Sequence, residues 1–164
     1  MPATESVRVC LVCAGNICRS PIAEAVLRSR VEAAGLADRV AVDSAGTGSW
    51  HVGQRADPRA RSALTRAGFS AEGHTARQFE RGWFTTRDLV VVADRENLRD
   101  LTRLARGDRD ATNRIHLLRE WDSQGPGLDV PDPYYGDDRD FLEVLAISER
   151  STRGLLEHVR TLLL

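Results

Sequence analysis

A short, mostly apolar run, Val7–Val12, leads directly into an eight-residue loop, Cys13–Ser20, with proline next at position 21. Few folds accommodate that order. The run is β-branched and too short for a helix, so it reads as a buried parallel strand. Ser20-Pro21 reads as an N-cap followed by proline in the first helical turn, with Glu24 just inside. Ile22, Val26, Ser29 and Ala33 follow at helical spacing, and Gly35 closes the segment. The chain therefore opens as a strand, a tight loop and a helix start, with nothing between them.

The same alternation continues. Val40–Ala45 is expected to be a second strand, ended by Ala45-Gly46-Thr47-Gly48. Asp57-Pro58 opens a helix through about Ala67, stopped by Gly68. Leu89–Ala93 is a third strand, Arg95–Leu104 a helix, and Ile115–Leu118 a short fourth strand. Gly125–Gly136 is a Pro/Gly/Asp-rich loop. Arg139–Leu163 is helical, with Phe141, Leu145, Leu155, Val159 and Leu162 on its apolar side. No repeat or low-complexity linker interrupts this order, so one α/β domain over residues 1–164 is expected, a doubly wound parallel sheet with right-handed crossovers. Ligands in such folds sit beyond the carboxyl ends of the strands. Cys13, Ser44, Asp94 and Asp132 all fall at or after strand ends.

Composition excludes several functions. A net charge of −1 with 29% charged residues points to neither nucleic acid nor a membrane surface. All 23 basic residues are arginine, so no Schiff-base or Walker-type lysine is available. The polar N-terminus Met1–Ser6 lacks a basic leader, and the apolar run after it is too short to span a membrane. Cys10, Cys13 and Cys18 lie too close together for a disulfide framework, so a cytoplasmic, reducing location is expected.

The Cys13–Ser20 loop carries the chemistry. A tight loop between a strand end and a helix start can turn backbone N–H groups inward as an anion-binding nest. The helix N-terminus adds unpaired donors and the positive end of its dipole. Gly15 is expected to give the backbone its freedom to turn. Arg19 offers a planar fork for two phosphate oxygens. Such surroundings acidify a thiol, so Cys13 is expected to act as a thiolate. A leaving group needs a proton, and Asp129, Asp132, Asp137 and Asp138 share one loop. Asp132 is the best placed, because Pro131 and Pro133 restrict its backbone. To donate at neutral pH it must be held neutral by desolvation and the nearby phosphate. Tyr134 and Tyr135 follow it and suit the wall of an aromatic substrate site.

Plainer readings weigh against each residue alone. A cysteine after a strand is usually a small buried hydrophobe; only Cys13 together with Arg19, Gly15 and the Ser-Pro helix start overcomes that. Cys10 keeps the buried reading. Cys18 either packs or partners Cys13 under oxidation. Metal binding by Cys13 and Cys18 lacks a second ligand pair. His51, His74, His116 and His158 each read as surface or hydrogen-bonded histidines. Gly46-Thr47-Gly48 lacks the third glycine of a dinucleotide fingerprint.

Cys13–Ser20 followed by Pro21 resembles the phosphate loop of the low-molecular-weight protein tyrosine phosphatases. The resemblance extends to Asp43-Ser44-Ala45-Gly46-Thr47, Trp50, His74-Thr75-Ala76-Arg77-Gln78, Asp94 and Asp132-Pro133-Tyr134-Tyr135-Gly136. It implies a three-layer fold with a four-stranded parallel sheet, and no metal or organic cofactor. It implies that Cys13 forms a cysteinyl-phosphate, Arg19 binds phosphate, and Asp132 protonates the tyrosyl oxygen and then activates water. Ala14, Gly15, Asn16, Ile17, Cys18 and Ser20 complete the phosphate-binding loop, with Ser44, His74 and Asp94 supporting it. Trp50, Tyr134 and Tyr135 form the substrate rim. Cys18 matches a neighbouring cysteine that can close a reversible disulfide with the oxidised nucleophile. The implied partners are phosphotyrosine proteins, including a bacterial tyrosine kinase, and phosphate-like oxyanions, met by a monomeric enzyme.

Three alternatives are separable. Arsenate reductase chemistry needs cysteines downstream, and none follows Cys18. Protein-arginine phosphatases of the same family tend to carry threonine where Ile17 stands. A phosphoprotein-binding module without catalysis would fail to hydrolyse p-nitrophenyl phosphate.

Overall fold

The computed structural model describes residues 3–164. Strands β1 (Val7–Cys13), β2 (Val40–Gly46), β3 (Leu89–Val92) and β4 (Ile115–Leu117) form one sheet. All pair in parallel, in the order β2-β1-β3-β4. Helices α1 (Arg19–Ala33), α2 (Pro58–Arg66), α3 (Arg95–Leu104), α4 (Arg109–Thr112) and α5 (Asp138–Leu162) connect and follow them.

β1 is the central element, buried on both sides, which is why its sequence does not alternate polar with apolar. Val7, Val9, Leu11 and Cys13 face a core shared with α1, α2 and α5. Cys10 and Val12 face the other layer, with Phe79, Phe84 and Leu101. Register pairs Val7 with Val40 and carries through to Cys13 with Gly46. The chain leaves β1 for β2 on one side and later enters β3 on the other. The carboxyl end of β1 is thus the point where the winding reverses, the usual ligand position in such sheets.

Several local outcomes differ from the sequence expectation. α1 is buried continuously from Arg19 to Leu27, because it is wedged against the sheet, α2 and α5. Of the residues at helical spacing, Ile22 and Val26 are buried, whereas Ala33 at the end of α1 is exposed. Ser20 does not cap α1: the helix starts at Arg19, and no side chain caps it. Caps are instead aspartates: Asp57 on α2, Asp94 on α3, Asp108 on α4 and Asp137 on α5. Asp94 and Asp137 form reciprocal boxes with Asn97 and Asp140. α4 and the 3-10 turns Arg81–Thr85 and Leu118–Trp121 are too short to leave a readable period. Beyond β4, the fully buried Asp122 carboxylate takes Arg119 at 3.0 Å and Arg150 at 2.9 Å, tying this stretch to α5.

Candidate active site

The loop after β1 holds its shape through carbonyls turned outward. Cys13 O accepts from Thr47 N at 2.9 Å, Ala14 O from Gly48 N at 3.0 Å, and Ile17 O from Asp57 N at 2.8 Å. Asn16 O meets His74 Nε2 at 2.8 Å. In a trans peptide the next N–H points opposite to the carbonyl. The amides of Ala14, Gly15, Ile17 and Cys18 are therefore turned into the concavity, the nest geometry that binds anions. Gly46 is required here, because a Cβ on it would lie 2.6 Å from Ala14 O.

The turn itself is made at Asn16, not Gly15. Asn16 takes the left-handed conformation at φ 58°, which asparagine tolerates better than most residues. Its side chain is fully committed. Nδ2 donates to Ser20 Oγ at 2.8 Å and to Ser44 Oγ at 2.9 Å, while Oδ1 accepts from Arg77 N at 3.0 Å. Gly15 has another reason to be glycine: a Cβ there would sit 2.8 Å from His51 Cδ2.

This network has a direction. Ser20 Oγ accepts a hydrogen bond from Asn16 Nδ2, so its own hydroxyl is free to donate to Cys13 Sγ, 3.0 Å away. Asn16 N donates to the same sulfur at 3.3 Å. At the far end, Ser44 donates to the buried Glu24 carboxylate, which also binds Arg28 and lies 3.7 Å from His74 Nδ1. Burial alone would push the Glu24 carboxyl up, but His74, Ser44 and Arg28 outweigh it and hold it below its ordinary value. A fixed negative charge thus anchors a chain of donors that ends on sulfur.

Arg19 is 5% exposed and oriented by its Nη1, which donates to Asp94 Oδ2 at 2.6 Å and Val130 O at 3.0 Å. Burial disfavours its charge, yet Cys13, Asp94 and Asp132 outweigh that and raise its pKa. Asp132 Oδ2 lies 3.8 Å from Arg19 Nη2, and its Oδ1 accepts from Tyr134 N at 3.1 Å. The other aspartates of the loop are engaged elsewhere. Asp129 pairs with Arg95, Asp137 caps α5, and Asp138 is the first residue of that helix.

Cys13, Cys18, Arg19, Trp50, Asp132, Tyr134 and Tyr135 meet at one cleft of about 430 Å³, together with Ala14, Gly15, Ile17 and His51. Tyr135 is 95% exposed, standing edge-on to Tyr134 with ring centroids 4.9 Å apart. Asn16, Ser20, Ser44 and His74 lie behind the loop, and Asp94 behind Arg19. All three cysteines are unpaired and buried. Burial pushes the Cys18 thiol well up, reinforced by the charges of Asp57, Cys13 and Asp132. Among the described residues, no group of three or more His, Cys, Asp or Glu side chains is arranged to hold a metal ion.

The sequence marks Glu24 only as an acid just inside α1, and His51 only as a surface or hydrogen-bonded histidine; neither a buried anchor nor a cleft position is read from it. Glu24's position among Ile22, Ala23, Ala25 and Val26 was a signal, since a carboxylate on a buried stretch needs partners. The signal for His51 was its neighbour Trp50, already placed on the substrate rim. The long path from strand β2 through 47–54 brings it there, with Nδ1 2.9 Å from Gln54 Oε1.

A sequence model of the family described as low molecular weight phosphotyrosine protein phosphatase matches residues 8–162. A low molecular weight protein-tyrosine-phosphatase of Streptomyces coelicolor is 54% identical over 155 residues, 93% of each chain. A protein tyrosine phosphatase from Entamoeba histolytica with Hepes in the active site is 32% identical, with a TM-score of 0.89 over 95% of this chain and 98% of that one. Wzb of Vibrio vulnificus in complex with benzylphosphonate is 25% identical, with a TM-score of 0.81 over 93% and 98% of the two chains.

Proposed function

The chain belongs to the low molecular weight phosphotyrosine protein phosphatase family and is a protein-tyrosine phosphatase, and on that premise we propose how its residues divide the work. The Cys13 sulfur attacks phosphorus in line with the tyrosyl oxygen. The S–P bond forms, the P–O bond breaks, and protonated Asp132 gives its proton to the departing oxygen. In the second step the Asp132 carboxylate takes a proton from water, the water oxygen attacks phosphorus, and Cys13 leaves as thiolate.

Through both steps the inward amides and the Arg19 Nε–Nη2 edge hold the equatorial oxygens. Nη1 is already spent on Asp94 and Val130, which fixes the plane of the fork. Ser20 stabilises the sulfur whenever it carries charge. Trp50, Tyr134 and Tyr135 line the aromatic leaving group, which suits stacking on a phosphotyrosine ring. Cys18 serves as redox guard, condensing with a Cys13 sulfenic acid to a disulfide and water.

The observation that carries this reading is the convergence of Ser20 Oγ and Asn16 N on Cys13 Sγ, at 3.0 and 3.3 Å, beside a buried Arg19. The substrates are phosphotyrosine proteins, a bacterial tyrosine kinase among them, met by a monomer in the cytoplasm. Unpaired cysteines support that location, and no helix among the described residues is long and apolar enough to cross a membrane. Cys13→Ser should abolish turnover of phosphotyrosine peptides while still binding inorganic phosphate by calorimetry. Steady hydrolysis by that variant sinks the nucleophile assignment.

A further inference from the structure

Asp132 must stand at a set distance from Cys13, yet the two lie on separate loops. The acid loop is tethered on its upstream side by Val130, whose N–H donates to Ala93 O at 2.8 Å and whose carbonyl accepts from Arg19 at 3.0 Å. Its downstream side is tethered by Arg59 of α2. Arg59 Nη2 donates to Tyr134 O at 2.9 Å, and Nη1 to Gly136 O at 3.2 Å.

The same guanidinium grips Asp57, with Nε 3.1 Å from Oδ1 and Nη2 3.0 Å from Oδ2. Asp57 in turn donates its backbone N–H to Ile17 O in the phosphate loop, at 2.8 Å. Asp57 is buried, and the Arg59 guanidinium lies 4.5 Å from the Phe141 ring centroid at the base of α5. One side chain therefore links the nucleophile loop, the acid loop and α5.

We infer that Arg59 is a positioning residue, a bracket between Ile17 and Tyr134 that sets where Asp132 stands over Cys13. The inference rests on Asp132 being the general acid. Lysine could not substitute, because the work needs a planar fork reaching a carboxylate and two carbonyls at once. With Arg59 gone, the downstream side of the acid loop loses both of its bonds to α2, at Tyr134 O and Gly136 O. A displacement of about 1 Å in such a group can cost on the order of 100-fold in rate.

The test compares kcat/KM, which reports the phosphorylation step, on a phosphotyrosine peptide and on p-nitrophenyl phosphate, whose leaving group is more acidic. Arg59→Met keeps much of the packing on Phe141 but donates nothing. It should lose roughly 10- to 100-fold on the peptide, and markedly less on the nitrophenyl ester. Inhibition by inorganic phosphate should stay near the native value, since the loop and Arg19 remain. Asp57→Asn keeps the backbone bond to Ile17 and a competent cap, and should show the same pattern more weakly. Arg59→Met added to Asp132→Ala should bring little further leaving-group selectivity, as expected of residues acting through one group.

Equal losses of Arg59→Met on both substrates, beside a selective loss in Asp132→Ala, overturn the bracket alone. Equal losses in Asp132→Ala itself overturn the acid assignment beneath it. A full second increment of selectivity in the double variant shows that Arg59 does not act through Asp132, and also overturns the bracket.

Discussion

Asp94 binds the Arg19 guanidinium at 2.6 Å through one oxygen, while its other oxygen accepts the Asn97 amide at 2.8 Å and caps α3. One carboxylate thus fixes both the phosphate-gripping cation and the start of a helix.

These two tasks separate by substitution. Asp94→Asn keeps a good cap but leaves the buried Arg19 without its carboxylate, so it should lower kcat/KM and also lower the melting temperature. Asp94→Ala should show the same kinetic loss and a further loss of about 1 kcal/mol of stability from the missing cap. Full activity in Asp94→Asn would mean that the fork is oriented without the ion pair.

The donor chain from Glu24 to Cys13 predicts a graded series. Ser44→Ala breaks its middle and leaves buried partners on Glu24 and Asn16 unsatisfied, at about 1–3 kcal/mol in urea unfolding. Ser20→Ala removes only the hydroxyl on sulfur, so kcat should fall roughly 10- to 100-fold, as for the loss of a hydrogen bond to a charged group, with a smaller stability change. Asn16→Ala should be the worst of the three, since it loses three bonds and forces alanine into φ 58°. An Asn16→Ala variant as active as Ser44→Ala would contradict the central place given to that amide.

Peroxide chemistry tests Cys18. On the proposed guard role, the native enzyme should lose activity to peroxide and recover with dithiothreitol, because closing a Cys13–Cys18 disulfide would halt further oxidation. Cys18→Ser should recover less. Mass spectrometry of the native protein should find the linked peptides; sulfinic acid on Cys13 in their place would remove the guard role.

Stability should fall with pH in two stages. Burial, helped by the charge of His116 and opposed by Glu120, holds the His158 pKa below its ordinary value. A group depressed in this way stabilises the fold fully above about 6.5 and progressively less as pH drops below it. Burial pushes the Asp122 carboxyl up, but Arg150, the Gln124 amide and Arg119 prevail and hold it low. Its contribution is present above about pH 4 and is lost as pH falls further. His158→Gln should flatten the first stage of a melting-temperature profile. Asp122→Asn should leave two arginines facing a neutral amide, cost about 3 kcal/mol at neutral pH, and flatten part of the second.

Much of this protein was legible in its chain. The order of strands and helices could be read because each long element carries its own period and its own stop. The pairing of Cys13 with Arg19 was legible because both lie on one short loop, where spacing alone confines them. Asp132 was singled out from its neighbours by Pro131 and Pro133, which act on the backbone locally. The engagement of the other three aspartates was not legible: Asp129 pairs with Arg95, and Asp137 and Asp138 lie at the start of α5.

What the sequence determined by itself is therefore local: β1, the loop and α1 follow from steric preference, apolar period and glycine or proline placement within a few residues. The tertiary structure decided what each polar group does. Ser20 abandons the cap for the thiol, Asn16 rather than Gly15 makes the turn, and Glu24 anchors a network from inside the core. Each outcome depends on a partner from far along the chain, such as Ser44, His74 or Arg77. A buried polar group takes whichever partner the folded chain brings within about 3 Å, at a cost of roughly 1–3 kcal/mol if none arrives. Local sequence does not encode that distance.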